Sequence, residues 1–168
     1  MIETKYLKND LKNIQRLLIF PTFKKLEADN LRKLLRLSKI RQYENGEWII
    51  REGDLDPWLY FLLSGRVRVE KEGVEISKIT EPGHLFGEMR ILDSSSRSAS
   101  VFAETKTVCL AVNTAGKRKL VAADNEDRDL EFLLLLYRIF AEFVSTRLRL
   151  CNEELVKAKK EILMLKED

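Results

Sequence analysis

The most informative stretch of the chain is FGEMRILDSSSRSAS, residues 86–100. It places one carboxylate, Glu88, and one guanidinium, Arg97, nine residues apart, with Gly87 before the first and small residues around the second. An arginine offers a planar fork of donors to phosphate oxygens, and a carboxylate accepts a hydrogen bond from a sugar hydroxyl. A glycine lets the backbone come close to a ligand. The stretch therefore carries the groups needed to hold a cyclic phosphodiester joined to a ribose.

Apolar residues inside this stretch have the spacing of a short helix, at Met89, Ile91 and Leu92. The free amides at the N-terminus of such a helix would face the bound anion. The serines that follow, Ser94–Ser96, are expected to form a loop.

The composition indicates a globular protein of one domain with an appendage. The chain has 168 residues, of which 45% are hydrophobic and 34% charged, and its net charge is +3. That charge neither requires nor excludes a nucleic-acid partner. The longest apolar run, Phe132–Tyr137, is too short to span a membrane, and the N-terminus lacks the apolar core of a secretory signal. A cytoplasmic protein is expected.

The chain has two cysteines, Cys109 and Cys151, and one histidine, His84. Two separated cysteines are typical of reduced thiols, although an intermolecular pair of Cys151 across a helical dimer stays open. One histidine cannot form a histidine metal cluster, and neither a zinc spacing nor a nucleophile elbow is present. We therefore expect neither a metal cofactor nor an enzyme.

Three regions follow one another along the chain. Residues 1–38 predict helices, one over about 3–20 and a second through Leu31, Leu34, Leu35 and Leu37. Residues 39–113 alternate short apolar runs with turns, which is typical of a sandwich or small barrel. The predicted strands cover 48–51, 59–63, 67–70, 74–79, 100–103 and 107–112. The turns contain Gly46, Gly53, Gly65, Gly73 and Gly83.

Residues 114–168 predict a short helix over about 115–123 and one long helix from about 128 towards 166. The long helix carries a heptad pattern, which indicates a parallel coiled coil and favours a homodimer. The alternative is that its apolar face packs only on the chain's own barrel. One seam position holds Leu134, Ala141, Leu148, Leu155 and Ile162, and the other holds Tyr137, Val144, Cys151, Ala158 and Leu165.

Over residues 86–101 the sequence resembles the cyclic nucleotide-binding domain family, which includes the catabolite activator protein, protein kinase A regulatory subunits and cyclic nucleotide-gated channels. Residues 43–54 are similar to the family's early strand and turn, and residues 58–67 to its central strand and glycine turn. The resemblance covers about residues 20–113 and the helix that follows. It implies a mainly β fold, a jelly-roll-like eight-stranded β-barrel with N-terminal helices and a long C-terminal dimerisation helix.

The resemblance also implies roles for individual residues. Glu88 would bind the ribose 2′-hydroxyl and Arg97 the cyclic phosphate of cyclic AMP or cyclic GMP. Further ligand contacts would come from Gly87, Met89, Ser98 and Ala99. In dimeric bacterial members the long helix closes over the base, which makes Cys151 and Asn152 candidate base contacts.

Arg90 departs from the family pattern, which has alanine or glycine there. Three interpretations stay open. Arg90 points into solvent, adds a second cation to the anion site, or fills the pocket against Glu88 and leaves a domain that binds no ligand.

The expected function is therefore a cyclic nucleotide sensor that signals through movement of its C-terminal helix. The alternative is a degenerate barrel that serves as a structural dimerisation or protein-interaction module, with Glu88 and Arg97 as a buried structural pair. A protein partner is compatible with both. No helix-turn-helix follows the long helix in this sequence, so direct DNA binding is not expected, and neither is membrane binding. The sequence does not choose between adenine and guanine.

Overall fold

The structure is a computed structural model that describes residues 1–4, 28–89, 95–115 and 126–165. It divides into two units, Met1–Asp124 and Asn125–Asp168. The described part of the first unit contains one helix, α1 (Ala28–Arg36), and nine strands. The strands are β1 (Ile2–Thr4), β2 (Ser38–Tyr43), β3 (Trp48–Ile50), β4 (Trp58–Ser64), β5 (Val67–Lys71), β6 (Val74–Ile79), β7 (Leu85–Phe86), β8 (Ser100–Ala103) and β9 (Thr107–Asn113).

The strands form two antiparallel sheets. The first has the order β1-β2-β9-β4-β7, and the second has the order β3-β8-β5-β6. Strands β2–β9 make up the two-sheet barrel, so the predicted mainly β jelly-roll fold is confirmed. Strand β1 adds a short edge to the first sheet, with Ile2 opposite Gln42.

The core lies between the sheets because the inward side chains of both are apolar. In β5, for example, Val67 and Val69 are buried whereas Arg68 and Glu70 are only half-buried, which is the period of two expected for a strand with one wet face. The largest fully buried side chains include Tyr43, Tyr60, Phe61 and Phe86.

The predicted turn glycines all have a positive φ, which confirms the turns. Gly65, between β4 and β5, is the most constrained, because a Cβ there would lie 2.6 Å from the backbone oxygen of Lys106. Only glycine allows β4 and β5 to turn this closely against the start of β9.

Two predictions for the N-terminal region had different outcomes. The helix over about 3–20 is wrong at its beginning, since Ile2–Thr4 pairs with β2 as a strand. The β-branched Ile2 and Thr4 suit an edge strand, and cross-strand pairing outweighs the helical pattern there. Residues 5–27 lie outside the described residues. The second predicted helix is confirmed as α1.

Most of the short helix predicted at 115–123 lies outside the described residues.

The second unit contains helix α2 (Glu126–Met164), a continuous helix of 39 residues. The predicted long helix is confirmed, with both ends about two residues earlier than expected. At 1.5 Å per residue it is about 58 Å long. The three-region division of the chain stays a prediction.

Candidate functional site

The residues singled out in the sequence lie where strands of both sheets end. Strand β7 of the first sheet leads directly into Gly87 and Glu88, and Arg97 precedes β8 of the second sheet. The fold therefore brings Gly87 and Arg97 together across the two sheets. Residues 90–94, and with them Arg90, Ile91 and Leu92, lie outside the described residues.

Arg97 is a buried cation whose guanidinium is held from three directions, with 3% of its side chain exposed. Its Nε and Nη2 donate to the two carboxylate oxygens of Asp56 at 2.9 and 2.8 Å. Its Nη1 donates to the carbonyl of Gly87 at 2.7 Å, and Nη2 also donates to the carbonyl of Trp58. A guanidinium has five N–H groups. Four are engaged, which leaves one N–H of Nη1 without a partner among the described residues.

The backbone of Arg97 is fixed by the loop between β3 and β4. The Gly53 amide donates to the Arg97 carbonyl at 2.9 Å, and the Arg97 amide donates to the Asp54 carbonyl at 2.9 Å. Further along, the Glu52 amide donates to Ser100 Oγ at 3.0 Å. The loop Arg51–Pro57 therefore determines both where the Arg97 backbone lies and, through Asp56, where its guanidinium points.

Asp56 is the counter-ion of this site. Burial disfavours its charged form, but the hydrogen bonds and the charge of Arg97 outweigh burial and hold the pKa of Asp56 below its ordinary value of 3.8. The Trp58 amide also donates to Asp56 Oδ1 at 3.2 Å. Asp56 is consequently ionised near neutral pH and balances the buried charge of Arg97.

Gly87 is required at its position by Arg97. Its φ is +80°, and a Cβ there would lie 2.8 Å from Arg97 Nη1 and 3.0 Å from Ile50 Cδ1. The sequence predicted that a glycine here allows close approach to a ligand. In the structure the group that approaches the Gly87 backbone is the protein's own guanidinium.

The remaining predicted ligand contacts are neighbours of Gly87 and Arg97 along the chain. Glu88, the residue after Gly87, is buried, with 5% of its surface exposed. Ser98 Oγ lies 3.3 Å from Met89 Sδ and donates to it. Ala99 packs against the hydrophobic core. Lys71 Nζ donates to the Ser98 carbonyl at 3.0 Å and so attaches this segment to β5.

The family model for the cyclic nucleotide-binding domain matches residues 40–124, which are 85 of the 168 residues. The chain belongs to the cyclic nucleotide-binding domain family. The matched range contains both the loop Arg51–Pro57 and the stretch 86–100, so the predicted resemblance is confirmed.

Individual proteins are similar to parts of this chain. A Rhodopseudomonas palustris protein described as a potassium channel is 34% identical over 108 residues, which cover 62% of this chain and 26% of that protein. Human cGMP-dependent protein kinase 2 is 32% identical over 96 residues, 54% of this chain and 13% of the kinase. The chain thus spans about a quarter or less of these relatives.

A solved structure gives the same picture of the fold. The catabolite activator protein of Thermus thermophilus matches with a TM-score of 0.62 and 31% identity, covering 81% of this chain and 62% of that one.

The candidate base contacts of this family member lie in the second unit. Cys151 and Asn152 are exposed residues of α2. Their predicted contact with a nucleotide base stays a prediction.

Two residues that support the site were not identified from the sequence. Asp56 lies between the segments that the sequence analysis singled out, 43–54 and 58–67, and its acidic side chain between two predicted strands was the available signal. Arg41 of β2 is buried with its guanidinium 4.0 Å from the centre of the Trp58 ring, and its Nη1 donates to the Tyr60 hydroxyl at 2.9 Å. Since the carbonyl of Trp58 accepts from Arg97, this stack fixes one of the acceptors that hold the Arg97 guanidinium.

The described residues contain no group of three or more His, Cys, Asp or Glu side chains placed to hold a metal ion. No helix in the same part of the chain combines the length and the apolar character needed to cross a membrane.

Proposed function

We propose that this chain is a sensor of cyclic AMP or cyclic GMP that binds its ligand through the stretch 86–101. The observation that carries the proposal is the buried Arg97 guanidinium, which has four of its five N–H groups bonded within the protein and one without a partner among the described residues. The chain that holds it is a member of the cyclic nucleotide-binding domain family. A preorganised cation needs little reorganisation when it meets an anion. The remaining N–H of Nη1 is a donor for the cyclic phosphate.

Glu88 is the proposed acceptor for the ribose 2′-hydroxyl. Its low exposure supports this role, because a carboxylate in a buried position forms a stronger hydrogen bond than one in open water. Gly87, Ser98 and Ala99 would add contacts around the phosphate, and the name of the human kinase relative connects the family with cyclic GMP.

A second function is favoured by the contact of Arg97 with Asp56. The carboxylate of Asp56 occupies two N–H groups of the guanidinium in the way that two phosphate oxygens would. A barrel whose arginine is satisfied internally can serve as a structural module that binds no nucleotide, and then α2 is the functional element.

Calorimetric titration of the full chain with cyclic AMP and cyclic GMP separates the two functions. A sensor releases or absorbs heat with at least one nucleotide and gains thermal stability in its presence, whereas a structural module does neither. Arg97→Ala should abolish binding. Arg97→Lys keeps the charge but not the fork, and it should weaken binding by about tenfold or more. Arg36→Ala, an exposed arginine of α1, is the control and should bind as the wild type does.

Because the Arg97 variants can also lose stability, urea unfolding of each variant accompanies the titration. A variant that is folded at the titration temperature and binds nucleotide with wild-type affinity contradicts the proposed role of Arg97.

We further propose that signalling proceeds through α2 and that two chains dimerise along it. Support comes from its length and from the exposure of its heptad seam. Six seam residues are 43–77% exposed: Leu134, Tyr137, Leu148, Leu155, Ile162 and Leu165. Single-chain exposure of that many large apolar side chains along one seam is typical of a helix that has a partner.

The dimer is tested by sedimentation of two double variants of equal charge. Leu148→Lys with Leu155→Lys places charges in the seam and should give monomers. Leu150→Lys with Val156→Lys changes residues of similar exposure, 52 and 51%, that lie outside the seam, and should leave the dimer intact. Equal sedimentation of both variants and the wild type would reject this interface. Cytoplasmic localisation, the absence of direct DNA and membrane binding, and a protein partner remain predictions of the same proposal.

A further inference from the structure

A second concave site lies away from the residues that surround Arg97. It is a cavity of about 440 Å³ whose lining includes Asn45, Arg66, Arg68, Lys78, Thr80 and Glu104. None of these belongs to the loop Arg51–Pro57 or to the stretch 86–101. We propose that this cavity is a binding site for a small molecule with two anionic groups, phosphate or carboxylate, and that it is independent of the nucleotide site.

The backbone of Arg66, one of the lining residues, is held by three hydrogen bonds. The Arg66 amide donates to Thr105 Oγ1 at 3.1 Å, and its carbonyl accepts from the Glu104 amide at 2.9 Å and from Thr107 Oγ1 at 3.1 Å. Gly65 before it is pressed against the chain at Lys106. The Arg66 side chain has no polar or ionic contact among the described residues, so its donors are available to a ligand.

Arg68 is oriented by its neighbours on the outer face of the second sheet. Its Cζ lies 5.2 Å from the centre of the Phe102 ring, and its Nε lies 2.7 Å from Glu70 Oε1. An arginine stacked on an aromatic ring and in ionic contact with a carboxylate is restricted in rotation, and the geometry of the Glu70 contact leaves the buried Nε of Arg68 without a hydrogen bond among the described residues. Arg68 therefore presents a second, largely prealigned donor group.

Lys78 is the third cation of the lining, and it lies directly opposite Arg68 in the β5–β6 pairing. Its Nζ is 2.8 Å from Glu104 Oε1 and 3.7 Å from Glu75 Oε1. The lining itself holds three cations and one carboxylate, Glu104, for a net charge of +2. Outside the lining, Glu70 pairs with Arg68 and Glu75 pairs with Lys78, so Arg66 is the one lining cation without an acidic partner among the described residues.

The size and the polarity of the cavity determine the class of ligand. Pockets for small molecules occupy about 300–1,000 Å³, and this one lies in the lower part of that range. Its lining is mainly charged and polar, which disfavours an apolar ligand. Arg66 and Arg68 are two residues apart along the chain, so their forks can bind two separate anionic groups of one molecule.

The test is calorimetric titration of the full chain with inorganic pyrophosphate and, separately, with citrate at low ionic strength. At least one probe should bind in the millimolar range or tighter, and the preferred probe identifies phosphate or carboxylate as the ligand group. Removal of one charge-assisted contact in Arg66→Gln should weaken binding by about tenfold, and Arg68→Gln should act in the same direction. Arg36→Gln removes an equal charge from α1 and should change affinity less than twofold.

Three outcomes overturn the proposal. In the first, neither probe binds. In the second, Arg36→Gln weakens binding as much as Arg66→Gln does, which means that the probe is attracted diffusely by the net charge of the protein. In the third, binding of the probe is lost in Arg97→Ala, which places the anion at the nucleotide site. Titration with an oligo-aspartate peptide tests whether the ligand is instead an acidic protein segment. If the peptide binds and neither small probe does, the cavity is a surface for such a segment.

Discussion

The charge of Asp56 should contribute measurably to stability, and Asp56→Asn is the variant that isolates it. The change keeps the shape of the side chain but removes its charge and turns one acceptor of the Arg97 contact into a donor. A hydrogen bond to a charged group is worth about 1.5–3 kcal/mol. The Asp56 side chain is 31% exposed, so solvent partly screens its charge. We therefore expect Asp56→Asn to lower the free energy of unfolding by about 1.5–3 kcal/mol in total, which is the value of one such hydrogen bond and not of two.

The fluorescence of the two tryptophans follows this loss. Trp48 and Trp58 are the only tryptophans of the chain, and both lie in the first unit, so their signal during urea unfolding reports that unit. Asp54→Asn is the matched control. Asp54 is an exposed residue of the same loop that binds Arg97 through its backbone carbonyl, which the substitution leaves in place. The control should stay within about 0.5 kcal/mol of the wild type.

The difference between wild type and Asp56→Asn should also depend on pH in a defined direction. The folded-state pKa of Asp56 is lowered below 3.8 by Arg97. The stabilisation is therefore fully present above the unfolded-state pKa, and it declines as the pH falls through the folded-state pKa. A difference that is absent at neutral pH, or that grows on acidification, refutes the assignment of Asp56 as the counter-ion of Arg97.

Two glycine substitutions test the backbone argument with the same unfolding assay. Gly65→Ala should cost about 1 kcal/mol or more beyond Gly73→Ala, because both have a positive φ but only Gly65 would place a Cβ against backbone, at 2.6 Å from the Lys106 oxygen; equal losses would show that φ alone matters. Gly87→Ala should lower the free energy of unfolding by about 2 kcal/mol or more, because the new Cβ displaces the Arg97 guanidinium. The double variant Gly87→Ala with Arg97→Ala should therefore lose less stability than the sum of the two single losses. Strictly additive losses would contradict the contact between the two residues.

Strands with one buried face could be predicted from the sequence, and strands with an unusual polar face could not. Strand β5 shows a plain alternation, and its prediction over 67–70 is confirmed as Val67–Lys71. Strand β2, with the sequence SKIRQY, was missed as a separate strand because its apolar signal is weak. Arg41 is buried there only because Trp58 and Tyr60 of another strand supply a stacking face and a hydroxyl. Such a long-range compensation leaves no local pattern.

The candidate site shows the same limit in another form. Gly87, Glu88 and Arg97 were recognisable because they occur at fixed spacing within one stretch. Asp56 precedes Arg97 by 41 positions, and the two meet only because the loop Arg51–Pro57 pairs with the segment before β8. Spacing within a segment could be interpreted from the sequence, but the partner of a charge in another segment is set by the packing of the two sheets.

Asp56 and a bound nucleotide would both contact Arg97. The affinity of Asp56→Asn for cyclic nucleotide therefore decides whether Asp56 supports ligand binding or competes with it. A phosphate that takes the remaining N–H of Nη1 needs Asp56 to hold the guanidinium in place, and the variant should then bind cyclic nucleotide about tenfold more weakly. A phosphate that replaces Asp56 instead gains from its removal, and affinity should rise. The Trp58 amide and the backbone bonds of the loop fix Asp56 independently of the Arg97 side chain. We therefore expect weaker binding, and a tighter-binding variant would mean that Asp56 competes with the ligand.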